Sequence, residues 1–512
     1  MLSTVGCERI AVSIELVPDS VLTRGEKLAS KNPDRPNVLF ILSDDQGPWA
    51  MNSAGTTELK TPNLERLATT GVRFDNFFCA SPVCSPARAS ILTGQMPSQH
   101  GVQDFLRSGN SAELPADGER IQYLEGRQTY VQMLRDNGYD CGLSGKWHLG
   151  DAVIPQAGFE FWDVHQTGSG DYFHAPMFKD GESYYADGYV SDVFTDNAIE
   201  YLSSQVVSER PFCMNVHYTA PHAPWGRDQH PEDLYEEYRS NCEFESVRWD
   251  PVHPNHLAKE GSAGSIGEDG EDRKDLLSGY FAAITAMDSN IGRLIDWLEA
   301  NDLRESTLII FTSDNGMNMG HHGIWGKGNG TYPPNMFDTS VKVPTLLSMP
   351  GRIPTGEVLS DLLSHYDLMP TILEFAGASP SEKPEDRPGV SFVSSMVGQS
   401  GQKPKPVVVH DEYGQTRMIR TGSKKYVHRY PSGPNELWDL DNDPEETINQ
   451  IDNPAFYQDI SELRSQMEEW FGLYTEPERD GSLQNVKGKG QVGLISSETD
   501  AFAQDIVFLR DT

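Results

Sequence analysis

Positive charge is what this sequence has least of. Its 41 lysines and arginines face 76 aspartates and glutamates, for a formal net charge of −35. A nucleic-acid binder carries the opposite sign, so no nucleic-acid partner is expected. An anionic ligand would be repelled at long range, and any anion site must be built from local cations. Cysteine is also scarce. Cys7, Cys79, Cys84, Cys141, Cys213 and Cys242 are scattered without a CxxC pair, which argues against a zinc site and a disulfide framework. Cys141 and Cys213 lie in apolar runs and read as small core residues. No uninterrupted apolar stretch reaches the roughly 20 residues of a membrane span. The opening MLSTVGCERIAVSIELVPDS lacks a basic start, and Glu8, Arg9 and Glu15 interrupt its apolar part. It gives no convincing signal peptide, and the compartment stays unassigned. Internal repeats and long low-complexity tracts are absent as well.

What is present is a regular alternation. NVLFIL (37–42) is a continuous apolar run ending in polar SDDQG, the pattern of a strand buried on both faces of a parallel sheet. In TPNLERLATTG, Thr61 can cap a helix, Pro62 fits its first turn and Gly71 fits its end. TYVQMLRDNGY leads into CGLS, SDVFTDNAIEYLSSQ into PFCMNVHY, and DLLSGYFAAITAMDSNIGRLIDWLEAN into STLIIFTSDNG. Helix-period segments alternating with apolar strands predict an α/β fold with a large, mainly parallel sheet flanked by helices. From about residue 400, PVVVHD, TRMIRTG, KKYVHRY and ELWDL predict a smaller antiparallel sheet, with a helix over 453–474 packed on it. The expected organisation is a lead-in (1–36), a catalytic α/β domain (37–400), a C-terminal α+β subdomain (401–477) and a tail (478–512).

Two apolar strands end in acids, at Asp44-Asp45 and Asp314-Asn315. Ligands of open α/β sheets gather at the carboxyl ends of strands. Carboxylate and amide oxygens converging there suit Ca²⁺, and Mg²⁺ next, rather than zinc. In SPVCSPARASILTG (81–94), Cys84 stands at the start of a short helical pattern closed by Gly94. There the backbone amides favour anions and a thiolate. By itself the position fits a nucleophile or an inert core thiol.

CSPAR at Cys84–Arg88 followed by ILTG matches Cys-x-Pro-x-Arg, and the chain resembles the formylglycine-dependent sulfatases of the alkaline phosphatase superfamily, bacterial carbohydrate sulfatases in particular. Ala87 stands where many members have Ser. The resemblance runs from about residue 36 to 450, with the motifs in the family's order: GKWHLG (Lys146, His148), PHAPW (His222), SDNG (Asp314, Asn315), HHGIWGKGN (Lys327) and ELWDLDNDPEE. It implies that a dedicated maturation enzyme oxidises Cys84 to formylglycine, whose hydrate attacks sulfur. It also implies a divalent metal on Asp44, Asp45, Asp314 and Asn315. Arg88 would hold the hydrate and the carboxylates, Lys146 and Lys327 would offset sulfate charge, and His148, His222 and Lys327 would share the acid and base roles. SDNG, where phosphonate hydrolases and choline sulfatase usually have SD-His-G, favours a sulfate ester. A phosphodiester or phosphonate monoester hydrolase on the same site, or a non-catalytic binder of sulfated glycans, are the competing readings. The expected substrate is a sulfated saccharide, with Arg107 and His322 as candidate sugar contacts near the pocket mouth.

Overall fold

The computed structural model describes residues 34–107, 120–256, 269–378, 386–399, 405–411, 415–481, 490–495 and 501–502. All but the last three residues of the lead-in, including Cys7, and most of the stretch beyond 481 lie outside them. Ten strands form the main sheet: β1 (Asn37–Ser43), β2 (Val72–Phe74), β3 (Asp140–Lys146), β4 (Phe161–His165), β5 (Pro176–Lys179), β6 (Glu182–Tyr185), β7 (Phe212–His217), β8 (Thr307–Ser313), β9 (Thr345–Ser348) and β10 (Glu357–Leu359). Their order is β10-β2-β9-β8-β1-β7-β3-β4-β5-β6. The five central strands, β8 to β4, run parallel. β9, between β8 and β2, and the β5–β6 hairpin are antiparallel additions.

The apolar runs are continuous because both faces are covered. Val38, Phe40 and Leu42 of β1 join Leu308 and Ile310 of β8 in one core cluster. Leu39 and Ile41 join Ile309 and Phe311 in another. Helices α1 (Pro62–Thr69), α4 (Val190–Gln205) and α5 (Gly270–Ala300) cover the second face. Helices α2 (Cys84–Thr93) and α3 (Tyr130–Asp136) lie over the first. Each fully buried Leu, Ile or Phe contributes about 1.5–3 kcal/mol. Cys141 and Cys213 are fully buried in the first cluster.

Helix α1 begins where expected, for a different reason. The Thr61 hydroxyl accepts from the Asn52 N–H (3.1 Å). The free amides of Asn63 and Leu64 donate to the Asp288 carboxylate of α5 at 3.0 and 2.7 Å. Gly71 is not a left-handed helix stop either. A Cβ there would lie 2.1 Å from the Leu347 carbonyl oxygen, so the glycine permits close passage of β9.

The C-terminal meander consists of β11 (Val407–Asp411), β12 (Thr416–Arg420), β13 (Lys424–Arg429) and β14 (Glu436–Asp439), paired antiparallel in order. Val408, Ile419, Tyr426 and Leu437 pack on Leu463, Met467 and Phe471 of helix α6 (Tyr457–Leu473). Buried Lys425 ties this unit to the main domain. Its ammonium donates to the Met336 carbonyl (2.8 Å) and ion-pairs with Asp338 (2.5 Å) and Glu446. Of the stretch expected to be a tail, Gly490 and Gln491 are seated against residues 101–107.

Candidate active site

Strands β8, β1, β7 and β3 are neighbours, and the polar residues that follow or end them meet above their carboxyl ends. Leu42 and Ser43 pair with Thr312 and Ser313, so Asp44-Asp45 and Asp314-Asn315 emerge side by side. The Asp45 N–H donates to Asp314 Oδ1 at 3.1 Å, and Asn315 Nδ2 donates to Asp45 Oδ1 at 2.8 Å. Lys146, the last residue of β3, reaches Asp44 Oδ2 at 2.5 Å. His222, beyond β7, places Nε2 3.6 Å from Asp45 Oδ2. From the opposite side α5 fixes the turn after β1: the Tyr280 hydroxyl donates to the Asp45 carbonyl (2.9 Å) and accepts from the Gly47 N–H (3.0 Å).

Cys84 is the first residue of α2, a helix buried along its whole length, so each polar side chain in it needs a partner. Arg88 donates from Nε to Asp314 Oδ2 (3.0 Å) and from Nη1 to the Lys146 carbonyl (3.0 Å), with Nη2 2.9 Å from Asp314 Oδ2. Cys84 Sγ lies 3.5 Å from Asp44 Oδ1 and 3.8 Å from Asp45 Oδ1. Lys327 approaches from the loop after β8, donating to Asp45 Oδ1 (2.6 Å) and Cys84 Sγ (2.7 Å). His148 adopts φ 54°, and its Nε2 lies 3.3 Å from the Leu106 carbonyl oxygen. The Phe105 ring meets it edge-on at 4.6 Å.

Burial sets the protonation of these groups. It pushes the Cys84 thiol well above its ordinary value, although Lys146 and Lys327 pull the other way. Burial therefore works against the thiolate that the helix start favours. Burial, then Asp314, raises Asp44. Burial also opposes the charges of Asp45 and Asp314, but the neighbouring cations outweigh it, led by Lys327 at Asp45 and by Arg88 at Asp314, and hold both low. For His148, burial, then Lys146 and Arg88, depresses the pKa well below the histidine range.

The cluster can take a hard cation. Ligand atoms of Asp44, Asp45, Cys84 and Asp314 lie within 4.8 Å of one another. Among the described residues, the side-chain oxygen of buried Asn315 has no hydrogen-bond partner. The ionised form of Asp44, opposed by burial and then by Asp314, is one that a dication would stabilise. Without one, three carboxylates and the three cations Arg88, Lys146 and Lys327 cancel; with one, the pocket carries net positive charge suited to an anion.

Of the two expected sugar contacts, Arg107 follows Leu106, whose carbonyl faces His148, and its backbone N–H donates to the Gln491 carbonyl at 2.9 Å. His322 stacks its ring on Phe337 with centroids 3.8 Å apart, and its backbone N–H donates to Asp250 Oδ2 (2.8 Å). Three histidines given no chemical part are held by the fold: His100 on Ser90 (3.0 Å), His217 on the Lys146 carbonyl (3.2 Å) and His256 on the Trp325 N–H (3.0 Å). Tyr280 and Phe105 were missed from sequence, because an aromatic in a long helix or a loop carries no pattern that marks it as a support.

A mainly parallel sheet with acids, cations and a helix-initial cysteine at its carboxyl edge is an arrangement suited to hydrolysis of an anionic ester. Residues 36–378 match the sulfatase family, and residues 320–471 match the C-terminal region of N-sulphoglucosamine sulphohydrolases. The chain belongs to the sulfatase family and is a sulfuric ester hydrolase. It is 27% identical to an N-acetylglucosamine-6-O-sulfatase of Bacteroides thetaiotaomicron, over 90% of this chain and 91% of that protein. It is 31% identical to a choline-sulfatase of Rhizobium meliloti, over 82% and 83%. A structure solved in complex with its substrate, D-glucosamine-2-N,6-O-disulfate, superposes with a TM-score of 0.70 at 26% identity, covering 86% of this chain and 98% of that one. Among the described residues no helix is long and apolar enough to cross a membrane.

Proposed function

We propose that the chain hydrolyses a sulfate ester carried on a saccharide, with residue 84 matured from cysteine to formylglycine by a dedicated enzyme and with Ca²⁺, in preference to Mg²⁺, on Asp44, Asp45, Asp314 and Asn315. The reaction would be housed in residues 37–400, with 401–477 as the packed subdomain. The observation that carries the reading is the placement of Cys84 Sγ, 3.5 Å from Asp44 and 2.7 Å from the Lys327 ammonium. Sγ there stands in for an oxygen of the formylglycine hydrate. A bound dication supplies Lewis-acid charge for the sulfate oxygens and the hydrate.

The chain's own residues do the rest. Arg88 fixes Asp314 and the end of β3, so the carboxylates keep their positions without the cost of reorganisation. Lys146 and Lys327 offset charge on the sulfate group as the S–O bond breaks. His222 and Lys327 would protonate the departing alcohol. His148, neutral because of its burial, removes a proton from the hydrate when the aldehyde is restored. Arg107, beside the His148 loop, and His322, stacked on Phe337, are both carried forward as candidate sugar contacts.

The saccharide reading is supported by the relative named for N-acetylglucosamine-6-O-sulfate and the structural neighbour solved with a disulfated glucosamine. A panel of defined sulfated mono- and disaccharides, with choline sulfate and a matched phosphate diester, tests it. Sulfate should be released from at least one sulfated sugar, with the highest kcat/KM of the panel. Turnover of choline sulfate or the diester alone would overturn it.

A further inference from the structure

The 101–107 loop is knitted to the far C-terminal segment through one side chain. Gln491 is fully buried. Its Oε1 accepts from the Gln103 N–H, and its Nε2 donates to the Gly101 and Gly493 carbonyls, each at 2.9 Å. Its backbone N–H donates to the Phe105 carbonyl (2.8 Å), and its carbonyl accepts from the Arg107 N–H (2.9 Å). The Gly490 N–H donates to Asp104 Oδ2 (3.0 Å). Gly490 has φ 100°, and a Cβ there would lie 2.7 Å from Arg107 Cδ, so the strap lies flat on the loop only with glycine at that position. The loop in turn encloses His148, with Phe105 against the ring and the Leu106 carbonyl at Nε2. A Cβ on Gly168 would lie 2.3 Å from His148 Nε2, so the ring has little room to move on that side.

We infer that Gln491 is a positioning residue: the C-terminal strap sets the 101–107 loop, and through Phe105 and the Leu106 carbonyl it holds the His148 imidazole in register with the site. The Leu106 carbonyl can only accept, so the hydrogen bond places the ring proton on Nε2. Buried Nδ1, which has no hydrogen-bond partner among the described residues, is then the bare nitrogen. This rests on the reading of His148 as a base. Loss of the strap should misplace that nitrogen without touching metal or sulfate, and displacements on the ångström scale cost up to about a hundredfold in rate.

Full-length Gln491→Ala, His148→Ala and the double variant should be compared by kcat, KM and bound metal. Gln491→Ala should lower kcat about tenfold at nearly unchanged KM and metal content, and add little to His148→Ala, because residues acting through one another are non-additive. Gln491→Glu keeps the side-chain length but loses the amide donors. It should behave likewise, and serves if the alanine variant folds poorly. Wild-type kcat in both Gln491 variants, or a Gln491 loss that adds in full to His148→Ala, would overturn the inference. If His148→Ala alone keeps full kcat, the base assignment fails instead.

Discussion

A thiol buried at the start of a buried helix, with its pKa pushed up by desolvation, is a poor nucleophile but a protected precursor. Cys84→Ala should abolish sulfate release while leaving the thermal midpoint within a few degrees of wild type; near-normal turnover would remove residue 84 from the chemistry. Asp314 carries the metal claim, because Arg88 holds it ionised and its other oxygen faces Asp45. Asp314→Ala should lose bound Ca²⁺ and lower kcat by about a hundredfold or more, with both read on one preparation. His148 gives a pH prediction with a definite sign. The base must be neutral, and its pKa lies well below the usual value of about 6.5. Activity should therefore hold as pH falls through 6.5, and the acid limb of kcat due to this residue should lie lower. A limb at 6.5 that vanishes in His148→Ala would contradict the burial argument.

Among elements, α5 links packing to the site. Gly279 packs against the Trp225 carbonyl, where a Cβ would lie 2.0 Å from the oxygen, and the next residue, Tyr280, holds the Asp45 turn. Gly279→Ala should cost about 1–3 kcal/mol of stability by overpacking and weaken metal binding by moving Tyr280. An unchanged melting temperature and Ca²⁺ affinity would sink this link. The same element shows what sequence can and cannot disclose. Its helical period is plain, as are the apolar runs of β1, β7 and β8, because periodicity is a local property. That Asp288 of α5 caps α1, or that Gly71 makes room for Leu347, depends on contacts more than 200 residues apart and leaves no local trace. The strap is the extreme case. Gly490 and Gln491 lie in a polar, glycine-rich stretch that reads as a tail, and only the folded chain brings them to residues 101–107. The acid pairs were legible because each ends a recognisable strand; the β5–β6 hairpin was not, since both strands have only four residues and the edge strand β6 is largely exposed.

For the molecule as a whole, the net charge of −35 sets a far field opposed to any sulfated ligand, while Arg88, Lys146, Lys327 and a bound dication attract it at short range. Salt at 0.1 M screens charges beyond about 10 Å and weakens desolvated contacts far less. Moderate salt should therefore leave kcat/KM unchanged or raise it, whereas a basic steering surface would give a steep fall. Lys327→Ala should lower kcat together with kcat/KM, as loss of a transition-state contact does. The central claim, that residue 84 acts as formylglycine, is tested most directly by the mass of the peptide containing residue 84, taken from catalytically active protein. The account predicts a peptide about 18 Da lighter than the cysteine form, sulfur having given way to oxygen with loss of two hydrogens. Full specific activity in protein whose residue 84 is entirely unmodified thiol would contradict it.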